Sequence, residues 1–236
     1  MRRGVAVRLL RRLGLPGGLS GVMVCMLLAG CVLLAGCTTA YYKTMQTLGK
    51  EKRDILIARV KDAKKDQQQT KEQIKTTMQS FEELTGFQGG PLEKNYTRLN
   101  SDYESADAQA RKLHDKIDSI DQVSKDLFRE WQTEINEMGN AKLKAQSTVM
   151  LRNAKTRQAE YMRSMRRTED RITPVLAAFH DQVLFLKHNL NARAIGSLKG
   201  TSASINTDVT DLMQSIDGSM QEADRLIASL SSSDQQ

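Results

Sequence analysis

The chain contains three histidines, His114, His180 and His188, and two of them frame the run His180-Asp181 … His188. Histidine beside aspartate is a familiar pair for acid–base work or metal binding, so this stretch is the first place to look for chemistry. On a helix, the ligands of one ion stand at i and i+3 or i+4. His180 and His188 stand at i+8, about 12 Å apart along the axis and about 80° apart around it. They share no ion unless other helices complete the set. Asp181 and His188, at i+7, lie on one face but two turns apart, beyond a direct hydrogen bond. The spacing therefore favours polar residues of a packed helix, satisfied by neighbouring helices. His114 reads as a solvated residue on a charged face.

Lys187, Asn189, Asn191 and Arg193 make the same stretch denser in polar groups. With Asp181 and His188 they form either a recognition surface or a buried network that sets helix register. The register reading is favoured, because Leu186, Leu190 and Ala194 carry an apolar seam through the run. No Gly-x-Ser-x-Gly elbow, phosphate loop, dinucleotide glycine motif or paired cysteine spacing occurs anywhere in the chain. The expectation is a protein that is not an enzyme and that needs no metal and no cofactor.

The element that must position these residues is a ladder. Steps of four and three give Leu92, Tyr96, Leu99, Tyr103, Ala106, Ala110, Leu113, Ile117, Ile120, Ser124, Leu127, Trp131, Glu134 and Met138. Only Ser124 and Glu134 are polar, and Val123 and Ile135 stand beside them as substitutes. A repeat of 3.5 residues keeps one apolar seam on one side of a helix, as in a coiled coil. Such a helix runs about 70 Å. Trp131, on a rung, is expected in the core.

Neighbouring segments repeat the pattern. A first helix is expected from about Tyr41 to Thr85, with the looser seam Leu56, Val60, Ala63, Gln67, Thr70, Ile74, Thr77, Phe81 and Leu84. Gly86 is placed to end it in a left-handed cap, and Pro91 to open the next helix. Gly139-Asn140 ends the ladder and caps a third helix, which Pro174 either kinks or divides, with Thr173 as a cap. Past Pro174 apolar residues point nearly all round, Leu184 and Phe185 included. Residues 174–198 are therefore expected at the bundle centre, touching helices one and two as well as the last helix. That last helix runs from about Ser202 to Leu230. The sum is an all-α fold, a long antiparallel coiled-coil-like bundle of about four helices.

Charge and cysteines place the chain. The formal charge is +7, with 35 basic and 28 acidic residues. Five of the basic residues, Arg2, Arg3, Arg8, Arg11 and Arg12, precede every acid in the chain. Without them 30 basic residues face 28 acidic, a net of +2, which argues against nucleic acid and against a basic bilayer-remodelling face. The arginine-rich start leads into an uncharged run from Leu19 to Gly36, the layout of an export signal. The run ends in Leu34-Ala35-Gly36-Cys37, which resembles a bacterial lipobox, and Leu28-Ala29-Gly30-Cys31 repeats it six residues earlier. Cys37 is the favoured lipidation site and Cys31 the alternative; an uncleaved single span remains a third reading. Cys25, Cys31 and Cys37 are the only cysteines, so no disulfide can staple the chain beyond Cys37. The expected organisation is a lipoprotein signal peptide over residues 1–36, one elongated helical domain over 37–231 and a disordered tail over 232–236. Thr38, where an Asp would favour inner-membrane retention, points to an outer-membrane lipoprotein facing the periplasm.

Several stretches carry a resemblance: Lys52-Arg53-Asp54-Ile55-Leu56, Gly89-Gly90, Leu127-Phe128-Arg129-Glu130-Trp131, and above all Pro174-Val175-Leu176 with Leu186 through Ile195. Together they resemble the domain of unknown function 2959 family, uncharacterised bacterial lipoproteins, from Cys37 to about Leu230. The resemblance implies a lipid-anchored helical protein and brings no catalytic residues. Its Tyr-Tyr-like start of helix one, here Tyr41-Tyr42, supports Cys37, while the second lipobox departs from the family pattern. The function expected is a coiled-coil protein of the cell envelope. Its partners are the membrane, through palmitate-bearing lipid, and an envelope protein or a second copy of the chain. The alternative is a metal-binding or enzymatic envelope protein using His180, Asp181 and His188.

Overall fold

The computed structural model describes residues 52–86, 89 and 91–231. Cys31, Cys37, the expected start of helix one at Tyr41 and the tail 232–236 lie outside them. Five helices succeed one another: α1 (Lys52–Thr85), α2 (Leu92–Glu137), α3 (Ala141–His188), α4 (Ala192–Ser197) and α5 (Lys199–Ser231). The four long ones form a closed ring in which α1 packs on α2, α2 on α3, α3 on α5 and α5 on α1. Short α4 touches α5 and α1. Among the described residues no helix is long and apolar enough to cross a membrane.

The seams explain why these segments pack. On α2, Leu99, Ala106, Leu113, Ile117 and Ile120 are all at most 1% exposed. Burying a leucine or isoleucine side chain contributes about 1.5–3 kcal/mol. At the polar rung Glu134 the neighbour takes over, with Ile135 buried and Glu134 exposed; Ser124 is itself buried, its hydroxyl donating to Ile120 O at 2.8 Å. On α1 the polar rungs Gln67, Thr70 and Thr77 are fully buried. Gln67 is tolerated because its Nε2 donates to Ser219 Oγ of α5 at 2.8 Å. Across the centre, Phe81 of α1 meets Phe179 of α3 edge to face, with centroids 6.2 Å apart. Such a pair adds about 0.5–1.5 kcal/mol beyond its buried area.

The turns differ from expectation in instructive places. Gly86 follows the last turn of α1 with its N–H on Glu82 O, 2.8 Å, and among the described residues the positive φ belongs to Gly89, at 140°. Pro91 stands just before α2 as its N-cap. Asn140 caps α3 as expected, its side chain accepting from Lys142 N and Leu143 N at 3.0 and 3.1 Å. The helix runs unbroken through Pro174. Thr173 does not cap anything; its hydroxyl turns back to Glu169 O at 3.4 Å, as inside a helix. The break falls instead at Asn189–Asn191. Asn189 ends α3 and Asn191 accepts from Ala194 N at 3.1 Å to start α4. A periodic seam cannot reveal that break, since Leu186 and Ala194 are buried on either side of it, in phase.

Residues 174–198 do not form the bundle centre. Their inner side is buried through Val175, Phe179, Val183 and Leu186, but Leu184 is 48% and Phe185 39% exposed. In a ring of four helices each helix keeps an outward face, and these two residues stand on it. Trp131 is likewise only half-buried, its indole N–H donating to Ser147 Oγ at 2.8 Å.

Candidate functional site

A cleft of about 380 Å³ lies between α2 and α3. It exists because small side chains, Ala110 on α2 and Ala177 on α3, stand where the two helices would otherwise interlock. Leu113, Ile172 and Leu176 make an apolar floor, and polar side chains form the rim. At one end His180 stacks on Tyr103, ring centroids 5.4 Å apart and planes 24° off parallel. Partial burial there raises the Tyr103 pKa, and Asp107 adds to the effect. At the other end stand His114 of α2 and Glu169 of α3.

His114 is exposed, as expected, but it is not alone. Its Nδ1 meets Glu169 Oε1, and its Nε2 lies 3.8 Å from Asp118 Oδ2. Arg166 of α3 closes the circuit, with 2.6 Å to Asp118 Oδ1 and 3.0 Å to Glu169 Oε2. Four groups from two helices thus alternate in charge around a ring when His114 is protonated. The hydrogen bond with Glu169, and then its charge, raise the His114 pKa above 6.5. The Arg166 guanidinium holds the Asp118 carboxyl below the usual carboxylate range. On the rim above, Arg111 pairs with Asp107 one turn away.

Of the polar residues singled out from sequence, His180 and His114 reach the cleft, at its two ends. Asp181, Lys187, His188, Asn189, Asn191 and Arg193 are all exposed. They therefore do not form the buried network that the register reading required. Asn189 and Asn191 serve locally instead, Asn189 Nδ2 donating to Phe185 O at 2.9 Å and Asn191 capping α4. Asp181, His180 and His188 gain no third ligand, and no group of three candidate metal ligands occurs among the described residues. Tyr103 was read only as a rung and His114 only as a solvated residue, and Glu169 escaped notice, because their meeting depends on the offset between α2 and α3, which no single-helix pattern encodes. The one hint was Tyr103, an aromatic on a ladder rung, where a leucine would have sealed the seam.

Chemically the rim holds an acid–base pair, but both histidine nitrogens face carboxylates. The arrangement offers an apolar slot between paired charges, flanked by an aromatic stack. Fold and cleft define the class: an all-α bundle of long antiparallel helices with a polar-rimmed slot between two of them. The chain belongs to the family described as Protein of unknown function (DUF2959), whose model matches residues 41–230. No curated protein and no solved structure matches it.

Proposed function

We propose that this is a lipid-anchored, non-enzymatic helical-bundle protein of the bacterial cell envelope that works by seating a protein partner in the α2–α3 cleft. In this reading Cys37, with Cys31 as the alternative, carries the lipid, and the bundle faces the periplasm from the outer membrane. The cleft is the observation that carries the binding half. Its floor is apolar, while Arg111 is tied to Asp107 and His114 to Glu169. A slot whose ions already have partners favours a neutral apolar side chain over a charged ligand. Its position between two parallel ridges suits one turn of an amphipathic helix laid across it. The envelope half is supported by the positive flank, the uncharged run and the lipobox-like Leu34-Ala35-Gly36-Cys37.

The test is a photo-crosslinking side chain placed at Thr173, exposed on the cleft rim. In intact cells it should give a discrete adduct, and the adduct mass distinguishes a second copy from another protein. Ala177→Trp, which fills the slot from its exposed lip, should remove the adduct without lowering the melting temperature. The same adduct in the folded Ala177→Trp protein would contradict binding in the cleft.

A further inference from the structure

The near-neutral charge of the chain beyond its first residues conceals an uneven distribution. Between residues 141 and 167, α3 carries eight lysines and arginines and a single acid, Glu160. Arg152, Lys155, Arg163 and Arg167 fall on its outward side and are all exposed. They stand at i, i+3, i+11 and i+15, a stripe about 22 Å long on one side of the helix. None of these four side chains has an ion-pair or hydrogen-bond partner among the described residues. Several acids on the flanking helices are already engaged: Asp118 by Arg166, Asp121 by Lys125, Glu130 by Lys52, Asp217 by Lys71 and Asp224 by Lys64. Asp170 bounds the stripe at its far end, beside Arg166 and Arg167 in a shallow depression.

At the near end, the salt bridge from Lys52 to Glu130 sets the first described residue of α1 beside Glu130. Among the described residues the last turns of α2 and the first turns of α3 therefore extend beyond it as a tip. On that tip Leu143 is 56% and Val149 52% exposed. Val149, three residues before Arg152, lies on the stripe's side of α3, whereas Leu143, nine before it, points the opposite way. Cations with an exposed aliphatic side chain at one end are a combination that a headgroup layer accommodates. The surface is a convex helix face, and the one aromatic of the stretch, Tyr161, is fully buried. It offers no stacking platform for single-stranded nucleic acid. Between the cations stand Thr156 and Ala159, so it lacks the buried aromatic anchor that organises most protein interfaces.

We infer that the outward side of α3 from Arg152 to Arg167, with Val149 beyond it, is a docking face for an anionic lipid surface. The inference takes from the envelope reading only that such a surface is at hand. Acylation of Cys37 is a separate question, and this face is tested on purified protein whether or not Cys37 is modified.

The experiment measures amine modification of individual lysines by mass spectrometry in full-length protein reconstituted into vesicles. Zwitterionic phosphatidylcholine is compared with a mixture containing about a third phosphatidylglycerol. Lys155 should be modified about threefold more slowly or less in the anionic vesicles, while exposed Lys61 and Lys112 on α1 and α2 keep their rates. The protection should vanish at about 1 M salt, where the Debye length is about 3 Å. It should vanish too in Arg152→Glu/Arg163→Glu/Arg167→Glu. Should that variant fail to fold, the salt arm and the single Arg163→Gln change carry the decision. Equal Lys155 rates in the two vesicles overturn the proposal. So does protection in native envelopes but not in anionic vesicles, which would mean an acidic protein partner. Protection by inorganic phosphate alone in the zwitterionic vesicles would reduce the face to a free-anion site and overturn it as well.

Discussion

His114 is where residue-level chemistry and helix packing meet. It ties α2 to α3 through Glu169, and Arg166 and Asp118 complete the circuit. Because its folded pKa is raised above 6.5 by Glu169, its contribution to stability is fully present below about pH 6.5 and is lost as pH rises through the folded value. Asp118 works in the opposite sense: its pKa is lowered, so its contribution is present above the unfolded value near 3.8 and fades as acid protonates it. The His114 ring signal observed by NMR should titrate above 6.5, and Glu169→Gln should lower that midpoint. The stability gap between the two proteins should narrow from pH 5.5 to pH 8.5 yet stay open, since Arg166 also uses Glu169 at every pH. An unchanged midpoint in Glu169→Gln would mean that the contact does not persist in solution. Glu169 lies within reach of His114 only because α2 and α3 run antiparallel at one offset, and no reading along one helix finds it. Asp118, at i+4 on α2 itself, was legible in the spacing and went unremarked.

At the scale of the element, periodicity carried most of the information. The α2 ladder stated which side of the helix is buried, down to the exchange of Glu134 for Ile135. It failed where a rung meets a gap between helices rather than the interior: Tyr103 borders the cleft and Trp131 lies half-buried. The all-round apolar pattern after Pro174 also misled. Leu184 and Phe185 belong to an outward face, and hydrophobicity alone does not say how many neighbours a helix has. Asn189 and Asn191 were noticed as a polar cluster, whereas their weight lies in ending one helix and starting another. Denaturant unfolding separates the two kinds of position. Leu113→Ala and Ile117→Ala, both at fully buried rungs, should each cost about 2–5 kcal/mol. Phe185→Asp on the outward face should change stability by about 0.5 kcal/mol or less. Losses well under 1 kcal/mol at both rungs, or unfolding of the Phe185→Asp protein, would refute the burial described here.

For the whole molecule, the lesson concerns averages. A net charge of +2 beyond the first arginines suggested a surface without preference. The fold instead gathers cations on one side of α3, while Asp121 of α2 and Asp217 and Asp224 of α5 pair with cations of α2 and α1. The all-α fold and the family were legible from seams and a few short stretches, because both are written in local spacing. The cleft was not, because it depends on which helices become neighbours and at what offset. In the function proposed here, the N-terminal cysteine is what holds the bundle to a membrane. Anchoring is therefore the claim on which the functional reading turns. Its most direct test is metabolic labelling with a fatty-acid analogue in cells expressing the unaltered chain, Cys31→Ser or Cys37→Ser. The account predicts label on the unaltered chain and on Cys31→Ser, and none on Cys37→Ser. Label that persists in Cys37→Ser, or is absent from the unaltered chain, would contradict it.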